Sequence, residues 1–229
     1  MPTNKIEEIN YVKEWNDNAD RIRESKDRSV HKRYEIFGEL YKKPNPEEEL
    51  LIRQVNKNAK ILDCGCGMGR LMRFFPNSFG IDVSKKMLEL NPFKKRIRQV
   101  DMTKGLDFKD KSFDVIFLFR VLLHLRGKTI DRVLLKLSDL LKDGGYIYVD
   151  APVKRDLGEW IWVLKRGYWR LTGQLTPVSA KCITMNGTKK ILDRLGFSYD
   201  IFYVAGDKEK GFKASSKAIF RIKKKVNFL

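Results

Sequence analysis

The chain is poor in cysteine and histidine, short of acid, and has no long apolar run. Three cysteines in 229 residues, with Cys64 and Cys66 separated by one glycine, cannot make a disulfide framework. Cys64-x-Cys66 could be half of a metal site, but a zinc centre takes about four ligands. Only Cys182, His31 and His124 remain as soft donors, so no metal is expected. The most apolar stretch, residues 115–125, is broken by Arg120; a membrane span needs about 18 uncharged apolar residues. Residues 1–10 are polar and include Glu7 and Glu8, which predicts no signal peptide and makes a cytoplasmic protein the expectation. There is no internal repeat and no low-complexity tract. Against 47 Lys and Arg stand 29 Asp and Glu, a net charge of +18. The imbalance is steepest from Ala151 onward, with 17 basic and 6 acidic residues. Such an excess predicts an anionic partner: nucleic acid, an acidic membrane surface or an acidic substrate.

What is present is globular. Hydrophobic residues make up 42% and charged residues 33%, enough for one domain with an elaboration. Residues 60–84 organise the rest. Ile61-Leu62-Asp63 reads as a short buried strand, because it is apolar, brief and followed at once by glycines. Gly65, Gly67 and Gly69 let the backbone turn tightly and approach a ligand. Residues 70–75 then predict a helix whose free N–H groups face that ligand. A second strand ends at Asp82, 19 positions after Asp63, a distance at which a carboxylate suits the two hydroxyls of a ribose. Arg70 stands where the dinucleotide fingerprint wants its third glycine. A glycine-rich turn of some other α/β domain is the plainer alternative.

Further strands are predicted near 96–100, 113–119 and 145–150, with helices near 84–90 and 127–142. The alternation argues a parallel sheet covered on both faces. Two closing strands, near 198–205 and 216–224, flank a charged loop, and so short a connection implies an antiparallel pair. Residues 1–50 read as polar helices. Ile6, Ile9, Val12 and Trp15 fall at three-residue steps, and a second piece spans 31–41. Pro46-Glu47-Glu48-Glu49 opens the helix feeding the first strand.

The pattern Asp63-x-Gly65-x-Gly67-x-Gly69, with Asp82 and the following Ser84-Lys85-Lys86-Met87-Leu88, resembles the first motifs of class I S-adenosylmethionine-dependent methyltransferases. Residues 112–119 resemble the family's fourth motif. Leu140-Leu141-Lys142-Asp143-Gly144-Gly145 resembles the helix end before its fifth strand, where Gly144 would supply a left-handed cap. The resemblance covers roughly residues 58–150. It implies a Rossmann-like α/β fold, a seven-stranded mostly parallel sheet with an antiparallel last strand. An N-terminal helical cap (1–50) would precede the domain (51–229), with a substrate-side insert after the fifth strand (151–185). It implies S-adenosylmethionine as cofactor, with contacts from Asp63, Gly65, Cys66, Gly67, Gly69, Asp82, Val83, Met87, Asp101, Met102 and Phe119. Asp82 would hold the ribose, the Gly65–Gly69 loop the methionine end, and Asp101 with Met102 the adenine.

Several of these positions carry a second reading. Asp101 also suits a turn or helix cap. Phe119 could face the sulfonium, where an aromatic face stabilises positive charge, or alternate with Phe117 into the core. Residues 121–125 resemble the family's Val-Leu-His-His-Leu stretch, with Leu123 in place of the first histidine. His124 is the candidate general base, or a histidine bonded to a backbone carbonyl. Trp160, Trp162, Tyr168 and Trp169 interleave with Arg155, Lys165, Arg166 and Arg170. They suit a substrate wall, base stacking with phosphate pairing, a lipid interface, or a helix that covers the sheet.

The expected activity is methyl transfer by direct displacement to a small or lipid-like acceptor. The alternatives are an RNA methyltransferase and a cofactor-binding protein without turnover. Against RNA, the fourth strand lacks the Asn/Asp-Pro-Pro-aromatic ending of the family's exocyclic amino methylation, and no Pro-Cys pair serves cytosine C5 chemistry.

Overall fold

A computed structural model describes residues 11–24, 44–125, 127–152, 184–204 and 217–223. The elements, in chain order, are α1 (Tyr11–Glu24), α2 (Pro46–Gln54), β1 (Ile61–Cys64), β2 (Ser78–Asp82), α3 (Lys85–Leu90), β3 (Ile97–Gln99), β4 (Phe113–Leu118), α4 (Lys128–Leu140), β5 (Leu141–Pro152), α5 (Met185–Arg194), β6 (Tyr199–Val204) and β7 (Lys217–Lys223). They build one seven-stranded sheet in the order β3-β2-β1-β4-β5-β7-β6. The five strands β1 to β5 run parallel, and β7 is antiparallel to both β5 and β6. The expected sheet and its reversed last strand are both present.

Side-chain alternation divides the core in two. Leu62, Ile116, Leu118, Ile147, Val149 and Phe220 meet Val133, Leu134 and Leu137 of α4 on one face. Ile61, Val115, Phe117, Tyr148 and Ile219 meet Leu51 of α2 on the other. All four β1 residues are buried, as a central parallel strand covered on both sides must be. Strands leave β1 in opposite directions, β2 and β3 one way and β4 the other. That reversal opens a crevice at the carboxyl ends of β1 and β4.

Three local expectations are corrected. Residues 65–77 contain no helix. Phe74 N–H bonds Leu71 O and Phe75 N–H bonds Met72 O, both three residues back, so the segment is a succession of turns. Thirteen residues separate the end of β1 from the start of β2, and Pro76 disfavours helical backbone at Phe75. The second correction is at α4, which ends at Leu140 rather than 142. Gly144 is not its cap. It has φ +79° inside β5, where the register with β4 jumps from Phe113↔Leu141 to Val115↔Tyr146. The double glycine therefore bulges the strand while buried Leu141 is already anchored to the sheet. Consequently, and third, β5 is twelve residues long, not the six expected.

The N-terminal helix lies against α3. Ser84 caps α3 by accepting from Met87 N–H (3.1 Å), and its hydroxyl donates to Asn16 Oδ1 (2.7 Å). Lys86 pairs with Asp20. The predicted helix at 31–41 and the aromatic segment with Trp160, Trp162, Tyr168 and Trp169 lie outside the described residues.

Candidate cofactor site

At the switch point lies a cavity of about 450 Å³, of the size that encloses a nucleoside-scale ligand. Its walls include Asp63, Gly65, Cys66, Gly67, Asp82, Val83, Met87, Asp101, Met102, Phe119 and His124. Of the sequence-expected cofactor contacts, only Gly69 is elsewhere. A Cβ on Gly69 would stand 2.7 Å from Asn91 Oδ1 and 2.9 Å from Phe93, and its φ is +81°. Glycine there closes the loop onto the segment after α3 rather than facing a ligand. Gly65, with φ +78°, does face the cavity, and a Cβ on it would collide with Val121.

Asp82 organises the floor. Its Oδ2 accepts from Gly67 N–H (2.9 Å) and its Oδ1 from Ser84 N–H (2.8 Å). One carboxylate thus ties the glycine loop to the α3 cap while still lining the cavity. Burial pushes its pKa up, and the two N–H groups pull against that. Asp63 is fully enclosed, and its carboxyl rises to about 7, from burial first and from the neighbouring charge of Asp82 second. Burial also drives both thiols, Cys64 and Cys66, upward, so they act as small apolar groups. Among the described residues no cluster suits a metal ion.

Asp101 closes a turn and also lines the cavity. Oδ1 accepts from Thr103 N–H (3.0 Å) and Thr103 Oγ1 (2.7 Å), closing a turn, yet the residue stays in the cavity wall. Phe119 likewise lines the cavity while its edge meets buried Phe117 at 6.1 Å. His124 has no hydrogen bond to its imidazole among the described residues. It meets Trp15 of α1 edge to face, with ring centroids 5.5 Å apart. Burial lowers its pKa to about 4, so it is neutral at physiological pH.

The wall beyond Phe119 was not legible in the sequence. Glu48 is 1% exposed and pairs with Arg70 Nε (2.5 Å) and Arg73 (3.2 Å). It also completes a reciprocal cap with Asn45 at the start of α2. Glu47 pairs with Lys217, which lies 3.8 Å from Asp150. Burial pushes the Glu47 carboxyl up, but Lys217, Arg120 and Arg70 outweigh it and hold it below its ordinary value. Asn45-x-x-Glu48 is a capping-box spacing; nothing local announces that the same glutamate reaches Arg70. The one available signal was Arg70 itself, standing in the place of a fingerprint glycine.

Residues 62–149 match the family described as "Methyltransferase domain". The Pelagibacter ubique ubiquinone biosynthesis O-methyltransferase is 32% identical over 136 residues, 54% of this chain and 55% of that protein. An uncharacterized protein of Methanocaldococcus jannaschii is 32% identical over 111 residues, 47% of this chain and 43% of that one. The chain thus spans about half the length of these curated relatives. A solved S-adenosylmethionine-dependent methyltransferase of Methanosarcina mazei superposes with a TM-score of 0.59 at 17% identity, covering 76% of this chain and 96% of that one. One from Thermotoga maritima gives 0.60 at 17%, covering 90% and 98%. Residues 62–149 thus resemble a methyltransferase domain, and the chain has the fold of solved S-adenosylmethionine-dependent methyltransferases.

The cofactor of such a methyltransferase domain is S-adenosylmethionine, and the cavity has features that suit it. At Gly65 the glycine loop packs against Val121 more closely than any side chain would allow, while its backbone lines the cavity. Asp82 is fixed at the end of β2, and Asp63 is a buried carboxyl beside the loop with no hydrogen bond among the described residues, a place suited to a ligand's amino group.

Proposed function

We propose that the chain transfers a methyl group from S-adenosylmethionine to a small or lipid-like acceptor. Asp82 is assigned to the ribose hydroxyls, the loop from Gly65 to Gly67 with Asp63 to the methionine end, and Asp101 with Met102 to the adenine. Val83 and Met87 supply apolar wall. Bound there, the cofactor supplies a methyl group made electrophilic by its sulfonium. The chain's own work is then alignment, because holding two reactants in line provides most of the acceleration for a direct displacement. Phe119 presents an aromatic ring at the end of β4, where cationic character is stabilised. His124, neutral and in the same wall, can accept a proton from an acceptor that arrives protonated. Its low basicity suits an acceptor whose proton becomes acidic as the bond to methyl forms.

The observation that carries the small-acceptor reading is Trp15. Helix α1 brings this side chain into the cavity wall and against His124, which narrows the opening beside the reacting end. Similarity over half of a ubiquinone biosynthesis O-methyltransferase supports the same class. The high basic charge supports RNA as the second reading. No described helix is long and apolar enough to cross a membrane.

The test supplies methyl-labelled S-adenosylmethionine and the protein to a host extract, which is then separated into RNA, protein and solvent-extractable or small-molecule fractions. Label in the small-molecule or extractable fraction is expected. Label in RNA would replace the acceptor assignment. Cofactor binding without label in any fraction would make the chain a binding protein.

A further inference from the structure

We propose that Arg120, together with Arg70, forms an anion-recognition site for the acceptor, so that the acceptor is a small molecule bearing a carboxylate or phosphate group. This rests on the methyl-transfer reading of the same cavity. Arg120 follows Phe119 directly at the end of β4 and lines the cavity. Its backbone is left-handed, φ +59°, a conformation that is sterically unfavourable for a residue with a Cβ and that needs a compensating contact. The other described non-glycine residue in that region, Lys111, sits in an exposed turn. Arg120 sits in the cavity wall and is held there. Its N–H donates to Asp150 Oδ1 at 2.6 Å. Asp150 has a 7% exposed side chain and is itself placed beside Lys217, which binds Glu47. Half-buried charged groups from α2, β5 and β7 thus fix the backbone of one exposed arginine. Among the described residues its guanidinium has no hydrogen-bond acceptor.

Charge in the cavity is polarised. The cofactor end carries Asp63, Asp82 and Asp101. Away from them the lining carries Glu47 and Glu48 with Arg70 and Arg120, and both glutamates are already paired, Glu48 with Arg70 and Arg73 and Glu47 with Lys217. Arg70 also lines this side, and its buried Nη2 has no hydrogen-bond partner among the described residues. An acceptor with an anionic group would seat that group at the two arginines, away from the three acids. Its nucleophile would then be free to point past Phe119. A planar guanidinium suits bidentate pairing with a carboxylate or phosphate.

The experiment uses the full chain, methyl-labelled S-adenosylmethionine and a protein- and RNA-free small-molecule extract that keeps the solvent-extractable fraction. Wild type, Arg120→Gln and Arg120→Lys are compared, and labelled products are passed over an anion exchanger. The expected result is a product retained by the exchanger and formed at least about tenfold more slowly by Arg120→Gln, as expected for loss of a charged hydrogen bond. Arg120→Lys should recover part of the rate. S-adenosylhomocysteine affinity, read by calorimetry, should be unchanged in both variants. A labelled product that the exchanger does not retain, or equal labelling by Arg120→Gln, overturns the anion site and leaves methyl transfer standing. Wild type that binds S-adenosylhomocysteine yet labels nothing overturns the small-acceptor reading and the anion site with it.

Discussion

Asp82 accepts from Gly67 N–H with one carboxylate oxygen and from Ser84 N–H with the other. The side chain is therefore already aimed before a ligand arrives. Asp82→Ala removes the proposed ribose partner and also unties the loop from the α3 cap. It should weaken S-adenosylhomocysteine binding by about 1–3 kcal/mol; unchanged affinity by calorimetry would remove the ribose assignment. His124 makes a different prediction. Its pKa of about 4 means that turnover should not rise through an imidazole titration near 6.5. His124→Ala should lower turnover and leave cofactor affinity near wild type, and loss of thermal stability alone would make it a packing residue. At this scale the sequence was most informative. Asp63, Gly65, Gly67 and Asp82 serve a backbone motif confined to a short stretch, so their spacing carries their geometry. Arg120, Asp150 and Lys217 meet only because β4, β5 and β7 are neighbours in the sheet, and no local pattern encodes that meeting.

Among the elements, α2 is the one whose role changed most between sequence and structure. Its opening residues read as a helix start, and so they are. Yet Glu48 also crosses to Arg70 and Arg73 in the turns after the glycine loop. That buried pairing anchors the segment where a helix was expected. Removing one member of a buried ion pair leaves uncompensated charge, so Glu48→Ala should cost about 3–5 kcal/mol in urea unfolding. Glu48→Gln keeps the shape and part of the cap and should cost less. Equal, small losses in both would show that the pairing contributes little. The central strands β1 and β4 were legible because each is an apolar run closed by a turn signal. The bulged start of β5 was not. Leu140-Leu141-Lys142 fits a helix end equally well, and only the pairing of Leu141 with Phe113 decides it.

Whole-molecule electrostatics bear on both partner and stability. A net charge of +18 attracts polyanions generally, and RNA held by 6–10 phosphates would lose about 10³–10⁵ in affinity between 50 and 200 mM salt. Methyl transfer to a small acceptor should change by only a few-fold over that range, which a labelled-product assay reads directly. Acid–base behaviour offers a sharper check, because two buried groups in one cavity pull stability in opposite directions. Folding raises Asp63 from 3.8 to about 7, so the folded protein holds a proton that the unfolded chain has lost. Stability from this residue is present below about 3.8 and falls as pH climbs to 7. Folding lowers His124 from 6.5 to about 4, so the unfolded chain holds the proton instead. Stability from this residue is present above 6.5 and falls as pH drops to 4. The two slopes offset each other in the wild type. Asp63→Asn should therefore gain stability relative to wild type as pH rises from 4 to 7, and His124→Gln should lose it over the same interval. Thermal unfolding of the cofactor-free proteins across that range measures both differences. Parallel curves for all three would mean that neither group is desolvated in the cavity.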